Sequence, residues 1–229
     1  MPAKLAVQIV IFDMDGVLVD VRGSFHRSIL ETVYHFTGRR VPRDDIHRWK
    51  NRSGYNDDWR LTTDWICQLG RRVHYDEVKA QFHKFYWGEN GTGFVTSERW
   101  LVPRATLRRL ARRAELGIFT GRTRQELTPT LARFGVRDYF HRVVTTDDVR
   151  RSKPDPEGLL RILDGRDPNT AIYLGDNVDD ALAARAAGVP FLGVLPHGSS
   201  ARRLRAARLR ESGAPAVLGH ARELEKWLR

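Results

Sequence analysis

Short apolar runs alternate with amphipathic stretches in the second half of the chain. The apolar runs are LGIFT (116–120), RVVTT (142–146), AIYLGD (171–176) and FLGVL (191–195). Between them, RQELTPTLARFGV, DPEGLLRILDG and VDDALAARAAGV carry apolar residues at helical spacing, and Gly135 and Gly188 close the first and the last. Buried strands that alternate with helices predict right-handed crossovers and a parallel sheet.

A further apolar run, AVQIVIF (6–12), precedes this region and predicts a central strand, because it is apolar on both faces. Residues 21–96 differ, since four stretches with helical spacing follow one another there: SFHRSILETVYHFTG, PRDDIHRWKN, DDWRLTTDWICQLG and YDEVKAQFHKFYWG. Asn90-Gly91-Thr92-Gly93 then ends the helical pattern. The pattern therefore predicts an α/β, Rossmann-like core of residues 1–20 and 97–229, with a helical domain, 21–96, inserted into it.

Composition limits the class of protein. A chain of 229 residues is long enough for a core domain with a smaller insert. No apolar run approaches the ~18–20 residues of a membrane span, and Leu5–Phe12 is too short for a signal peptide. The single cysteine, Cys67, excludes an internal disulfide and a thiolate zinc site, and its apolar neighbours predict a buried side chain. We expect a cytoplasmic protein without a membrane partner.

The formal charge of +11 comes from arginine, because only six of the 39 basic residues are lysines. The densest runs, RATLRRLARRA (104–114) and SARRLRAARLR (200–210), interleave Arg with Leu and Ala. This pattern is typical of amphipathic surface helices with basic outer faces. Attraction of an anionic substrate and binding of a polyanion are the alternatives. We expect no nucleic-acid partner.

Polar residues follow the predicted strands, and ligands of open parallel sheets bind beyond the carboxyl ends of the strands. The residues at these four ends are Asp13 and Asp15; Thr120, Gly121 and Arg122; Lys153; and Asp176, Asn177, Asp179 and Asp180. Two acidic clusters with a lysine and a hydroxyl suit a divalent cation and a phosphate. Each motif alone also has a structural interpretation, as a turn, a surface lysine or a helix cap.

Four motifs in order carry a resemblance to a known family. DMDGV, TGR, KPDP and GDNVDD, each after a predicted strand, resemble the motifs of the haloacid dehalogenase superfamily. The helical segment after the first motif resembles the first cap type of that superfamily (the IA-like members). The resemblance covers the whole predicted core and implies a phosphatase-type member.

The resemblance also implies a role for each motif residue. Asp13 would be the nucleophile that forms an aspartyl-phosphate, and Asp15 the acid and base, whose main-chain carbonyl also binds Mg²⁺. Asp176 would be a metal ligand, with Asp13 and Asp15. Asp180 and Asn177 would lie behind the metal ligands without binding the metal, and Asp180 would orient a metal-bound water or Lys153. Asp179 is an alternative to Asp180 in this role. The phosphoryl group would be held by Thr120, Gly121 and Lys153.

Arg122 departs from the family pattern, in which Thr or Ser is often followed by Asn. Its side chain would reach the substrate's phosphate or a second anionic group of the substrate. The alternative is that it closes the site at the surface. Asp15 argues against dehalogenation, because the dehalogenase branch lacks aspartate there. Relatives that cleave phosphonates use a lysine of the cap as a Schiff base. The helical insert offers Lys50, Lys79 and Lys84 for this role, and nothing in the sequence places them over the site.

Substrate choice is expected in the helical insert, which would close over the site. The candidate residues are Arg22, Asn51, Arg52, Tyr55 and Asn56. An ordinary turn between two helices is the alternative for residues 51–59. His26 is expected on the surface of its helix rather than as a ligand.

The sequence therefore predicts a Mg²⁺-dependent phosphatase that acts on a small phosphorylated metabolite, as a monomer or homodimer. A phosphomutase with the same residues is one alternative, and a non-catalytic polyanion-binding protein on the same fold is another. Some relatives with a similar DMDGVLVDV start are associated with histidine biosynthesis, so histidinol phosphate is one candidate substrate.

Overall fold

The strands are short and apolar. In the computed structural model, which describes residues 7–198 and 201–228, they are β1 (Ile9–Phe12), β2 (Val19–Asp20), β3 (Arg99–Trp100), β4 (Glu115–Phe119), β5 (Arg142–Val144), β6 (Ala171–Gly175), β7 (Phe191–Val194) and β8 (Val217–Leu218). One sheet has the order β5-β4-β1-β6-β7-β8 and is parallel throughout, whereas β2 and β3 pair with each other.

β1 lies at the centre of the large sheet, and all four of its residues are buried. Ile11 is in register with Gly117 of β4 on one side and with Tyr173 of β6 on the other. Burial of each large apolar side chain of this strand contributes ~1.5–3 kcal/mol. The predicted α/β fold, with a parallel sheet and this strand inside it, is confirmed. β8 was not predicted, since two residues are too few for a period-2 pattern.

The helices match the stretches with helical spacing. They are α1 (Phe25–Thr37), α2 (Asp44–Lys50), α3 (Asp58–Gln68), α4 (Tyr75–Trp87), α5 (Arg104–Ala111), α6 (Arg124–Phe134), α7 (Glu157–Leu163), α8 (Val178–Ala187) and α9 (Arg202–Glu211). The chain divides into two compact units. One joins the residues up to Val19 with those from Trp100 onward, and the other is Asp20–Arg99.

Helix caps set where two of the helices beside the sheet begin. The Thr123 side chain accepts from the main-chain N–H of Glu126 at the start of α6, and the Glu126 carboxylate accepts from that of Thr123 at 2.8 Å. α8 begins in the same way, with Asn177 as its cap and Asp180 accepting from the Asn177 N–H at 3.1 Å. Such reciprocal pairs satisfy donors that the first turn leaves unpaired. Asn177 and Asp180 therefore have a structural role whatever else they do.

In the helical unit, α1, α3 and α4 pack around aromatic side chains, among them Phe25, Phe82 and Tyr86. Two predictions for this unit are wrong. Cys67 is exposed, because it lies about 100° around α3 from the buried Ile66. His26 is buried on the inner face of α1, where its ring packs edge-on against His47.

Among the described residues, no helix combines the length and the apolar character that crossing a membrane requires.

Gly158 lets α7 pack closely on β4, since a Cβ at this position would collide with the Phe119 ring. We expect Gly158→Ala to lower the free energy of unfolding by ~1–3 kcal/mol. Overpacking should outweigh the ~1 kcal/mol that alanine gains over glycine in helix propensity. Urea unfolding measures the change. Leu160→Ala in the same helix is the control, because Leu160 is half exposed and should change stability by under ~0.5 kcal/mol. A Gly158→Ala protein as stable as the wild type would contradict this packing.

Candidate active site

The first acidic cluster lies where β1 ends. The Asp13 N–H donates to the Leu174 carbonyl of β6 at 2.8 Å, so the main chain is still held by the sheet when it delivers this carboxylate. The chain then turns at Gly16, whose φ of 77° is in the left-handed region. A Cβ at Gly16 would collide with the Asp176 carboxylate. The absence of a side chain at Gly16 therefore lets the turn after β1 lie close to the Asp176 carboxylate.

Lys153 connects Asp13 to the second acidic cluster. Its side chain is 1% exposed, and its Nζ lies 2.7 Å from Asp13 Oδ1 and 2.8 Å from Asp180 Oδ1. Burial on its own would lower the pKa of Lys153, but the charges of Asp13 and Asp180 outweigh burial and raise the pKa above its usual value. Lys153 therefore remains a cation between two carboxylates.

Asp180 is held by donors on several sides. Its Oδ1 accepts from Lys153 and, at 2.7 Å, from the Tyr173 hydroxyl, and its Oδ2 accepts from the Asn177 N–H. Burial, together with the nearby carboxylates, raises the pKa of Tyr173 well above its usual value, so the hydroxyl remains a donor. Asp180 is thus suited to orient Lys153.

Asp13 is buried among charges. Burial raises the pKa of Asp13 well above its usual value, Lys153 opposes the rise, and the neighbouring carboxylates Asp180, Asp15 and Asp176 add to it. A further cation at this place would favour the ionised form, because opposite charge stabilises a carboxylate.

The donor set fits such a cation. One carboxylate oxygen from each of Asp13, Asp176 and Asp180 lies within 4.8 Å of the others. Carboxylate oxygens are hard ligands of the kind that Mg²⁺ prefers. Donors reach both oxygens of Asp180, and direct coordination by Asp13 and Asp176 stays a prediction. Asp15 would take part through its main-chain oxygen, as the family resemblance implies.

Asp176 also has a partner that the sequence did not indicate. Arg205 of α9 is buried, and its Nη2 lies 2.8 Å from Asp176 Oδ2. The sequence placed Arg205 in a run of solvated surface arginines. Helical spacing gave no sign that this one residue faces inward. Tyr173 was missed for a similar reason, since a tyrosine in a buried strand is ordinary core.

The residues after β4 form a third group. Thr120 is buried, and its hydroxyl accepts from the Arg122 N–H at 3.1 Å, while Gly121 lies between them. The Arg122 side chain is buried and its Nη2 lies 2.6 Å from Asp15 Oδ1. Of the two alternatives for Arg122, closing the site at the surface is therefore wrong, and contact with a substrate anion stays a prediction. The side chain points inward because a carboxylate and a threonine hydroxyl, that of Thr130, receive it there.

The five residues expected to select the substrate all lie in the helical unit, and Asn51 and Asn56 belong to the connection between α2 and α3. The other three contact neighbours in that unit: Arg22 is paired with Asp20 at 2.6 Å, Arg52 lies over the Trp49 ring at 5.1 Å, and the Tyr55 hydroxyl donates to Asp64 at 3.2 Å. Their part in choosing a substrate stays a prediction.

Comparison with known proteins agrees with this geometry. The family model of haloacid dehalogenase-like hydrolases matches residues 10–194. An imidazoleglycerol-phosphate dehydratase of Phytophthora nicotianae is 35% identical over 198 residues, which are 82% of this chain and 43% of that protein. The chain thus spans less than half the length of this relative.

Two further proteins are similar over most of their own length. The pyrophosphatase PpaX of Bacillus velezensis is 29% identical over 82% of this chain and 83% of its own. The crystal structure of a predicted phosphoglycolate phosphatase from Haemophilus somnus superposes with a TM-score of 0.77. It covers 98% of this chain and 99% of its own, at 21% identity. At that identity the superposition shows a shared fold.

Arg205 should weaken cation binding, because its charge offsets that of Asp176. We expect Arg205→Met to be less stable than the wild type without Mg²⁺ and to gain more from adding it. If Mg²⁺ stabilises Arg205→Met by ~1 kcal/mol more than it stabilises the wild type, the rise in Tm on adding Mg²⁺ should be about 2–4 °C larger for the variant. Thermal unfolding with and without MgCl₂ measures this difference.

The matched control is Arg208→Met, which removes an exposed arginine of the same helix that is paired with Glu211. It should respond to Mg²⁺ as the wild type does. An Arg205→Met protein with an equal or smaller response to Mg²⁺ would show that Arg205 does not compete with the cation.

Proposed function

The chain belongs to the haloacid dehalogenase-like hydrolases, and we propose that it is a Mg²⁺-dependent phosphatase. On this proposal it hydrolyses a small phosphorylated metabolite through an aspartyl-phosphate on Asp13. The observation that carries the proposal is the position of Lys153 Nζ, 2.7 Å from Asp13 Oδ1 at the carboxyl edge of the sheet. A buried nucleophilic carboxylate beside a fixed cation suits transfer of a phosphoryl group.

The first half-reaction transfers the phosphoryl group to the enzyme. An oxygen of Asp13 attacks phosphorus, and the bond from phosphorus to the ester oxygen breaks. Asp15 gives a proton to the departing oxygen. Lys153 and the Thr120 hydroxyl stabilise the charge on the phosphoryl oxygens, because both are fixed by the fold before the substrate arrives.

The second half-reaction releases phosphate. A water oxygen attacks phosphorus, the bond to Asp13 breaks and its electron pair returns to the carboxylate, and Asp15 takes the proton of the water. When Mg²⁺ is bound by Asp13, Asp176 and the main chain at Asp15, it supplies positive charge beside the phosphoryl oxygens. Asp180 acts from outside by orienting Lys153.

The helical unit is proposed as the cap that selects the substrate. The connection between α2 and α3 supports this role, since it carries amide, hydroxyl and guanidinium groups. The proteins to which the chain is similar include the pyrophosphatase PpaX and the predicted phosphoglycolate phosphatase. These names and the imidazoleglycerol phosphate of the first relative define a short panel of substrates.

We expect phosphate release from at least one compound of a panel that contains pyrophosphate, phosphoglycolate, imidazoleglycerol phosphate, histidinol phosphate and p-nitrophenyl phosphate. Asp13→Asn keeps the shape of the side chain but removes the nucleophile, so release should fall by ~10³-fold or more. EDTA should abolish release by the wild type, and added Mg²⁺ should restore it. A colorimetric phosphate assay measures all of these.

Asp164→Asn is the matched control, because Asp164 is an exposed carboxylate. It should keep the activity of the wild type, and circular dichroism should show that both variants fold. Activity that survives in Asp13→Asn would contradict the proposed nucleophile. Conversion of a sugar phosphate into its isomer without phosphate release would instead indicate a phosphomutase.

A further inference from the structure

Arg122 is the largest fully buried side chain among the described residues. Removing a guanidinium from water costs several kcal/mol unless hydrogen bonds and an opposite charge replace the water. A fold keeps such a group where its partners need it. Its partners therefore indicate what Arg122 does.

One edge of the guanidinium converges on a single oxygen. Nε lies 2.8 Å and Nη2 2.6 Å from Asp15 Oδ1. On the other side, Nη1 donates to the Thr130 hydroxyl of α6 at 3.1 Å. The main-chain N–H of Arg122 donates to Thr120. The side chain is thus held from several directions, and the fork that it presents to Asp15 has one orientation.

The two members of this pair differ in exposure. The Arg122 side chain is 1% exposed, whereas that of Asp15 is 23% exposed. Arg122 therefore approaches Asp15 from the protein interior, and the carboxylate reaches the surface of the core. Because Arg122 itself has almost no exposed surface, its influence on a substrate passes through Asp15.

We propose that Arg122 is the positioning residue for the second half-reaction, and this inference rests on the phosphatase function proposed above. Arg122 holds Asp15 where it takes the proton from the water that attacks the aspartyl-phosphate. The water oxygen bonds to phosphorus, the bond from phosphorus to Asp13 breaks, and the proton goes to Asp15. Arg122 thereby shortens the lifetime of the aspartyl-phosphate.

The shape of the guanidinium matters as well as its charge. A planar fork with two N–H groups on one edge fixes both the distance and the angle of a carboxylate, whereas lysine offers a point charge on a flexible stem. A displacement of a reacting group by ~1 Å can cost ~10²-fold in rate. Arg122→Lys should therefore lose much of the effect although it keeps the charge.

The test uses p-nitrophenyl phosphate, because p-nitrophenolate leaves without needing a proton from Asp15. Formation of the aspartyl-phosphate then depends little on Asp15, and its hydrolysis depends on it strongly. We expect Arg122→Met to lower kcat by ~10–100-fold. Because kcat/KM reports the steps up to the first irreversible one, it should change by less than ~3-fold, so that KM falls with kcat.

Two further measurements follow the intermediate itself. Stopped-flow absorbance of Arg122→Met should show a burst of p-nitrophenol equal to the enzyme concentration, followed by slow turnover. Mass spectrometry of acid-quenched protein should show phosphorylated Arg122→Met during turnover and little phosphorylated wild type. Arg122→Lys and Thr130→Val should show the same split between kcat and kcat/KM to a smaller degree. If Arg122→Met does not fold, Arg122→Lys and Thr130→Val provide the test of the proposed role.

Arg142→Met is the matched control, since it removes an ion-paired arginine at the start of β5, the partner of Glu115. It should lower stability without a burst. Equal losses in kcat and kcat/KM for the folded Arg122 variants, or no phosphorylated intermediate, would overturn the role of Arg122 and leave the phosphatase intact. Failure of the wild type to release p-nitrophenol, or phosphate from any compound of the panel, would instead overturn the proposed function.

Discussion

An ammonium buried between two buried carboxylates is the interaction on which the candidate site depends. Lys153 contacts Asp13 and Asp180 at 2.7 and 2.8 Å, and each of the three groups would be costly to bury without the others. The residues come from three different strand ends, so the contacts require the strands to end at the same level. A parallel sheet with β1 next to β6 provides this arrangement. The fold of the core and the electrostatics of the site therefore specify the same geometry.

The same pairing recurs across the site. Three carboxylates each contact one cation of the protein: Asp13 with Lys153, Asp15 with Arg122, and Asp176 with Arg205. In each pair the side chain of the cation is less exposed than that of the carboxylate. The excess of arginine in the composition therefore serves the site in two places, besides its exposed positions on α5 and α9.

Sequence patterns predicted β1, β4, β5, β6 and β7 and the helices, because these depend on neighbours along the chain, whereas the two-residue strands β2, β3 and β8 are too short to show a pattern. The strand ends followed from apolar runs. The cap alternative for the last motif named Asp176, Asp179 and Asp180, whereas the structure has Asn177 as the N-cap of α8. Arg205 was not predicted, because the arginines of α9 have the same helical spacing and only the packing of this helix against α8 and β8 distinguishes them. The inward direction of Arg122 was not predicted either, since a sequence shows which side chain follows a strand but not what receives it.

The charges of these groups also bear on how the site would receive a cation and a phosphate. When all four are ionised, the carboxylates of Asp13, Asp15, Asp176 and Asp180 exceed by one negative charge the three cations that contact them, Lys153, Arg122 and Arg205. A phosphate ester carries about two negative charges and would meet repulsion if it came first. A divalent cation held by these carboxylates would change this balance to one positive charge, which would attract a phosphate. The pairing of carboxylates with protein cations thus keeps the net charge of these groups small, so that neither ligand would have to overcome a large uncompensated charge.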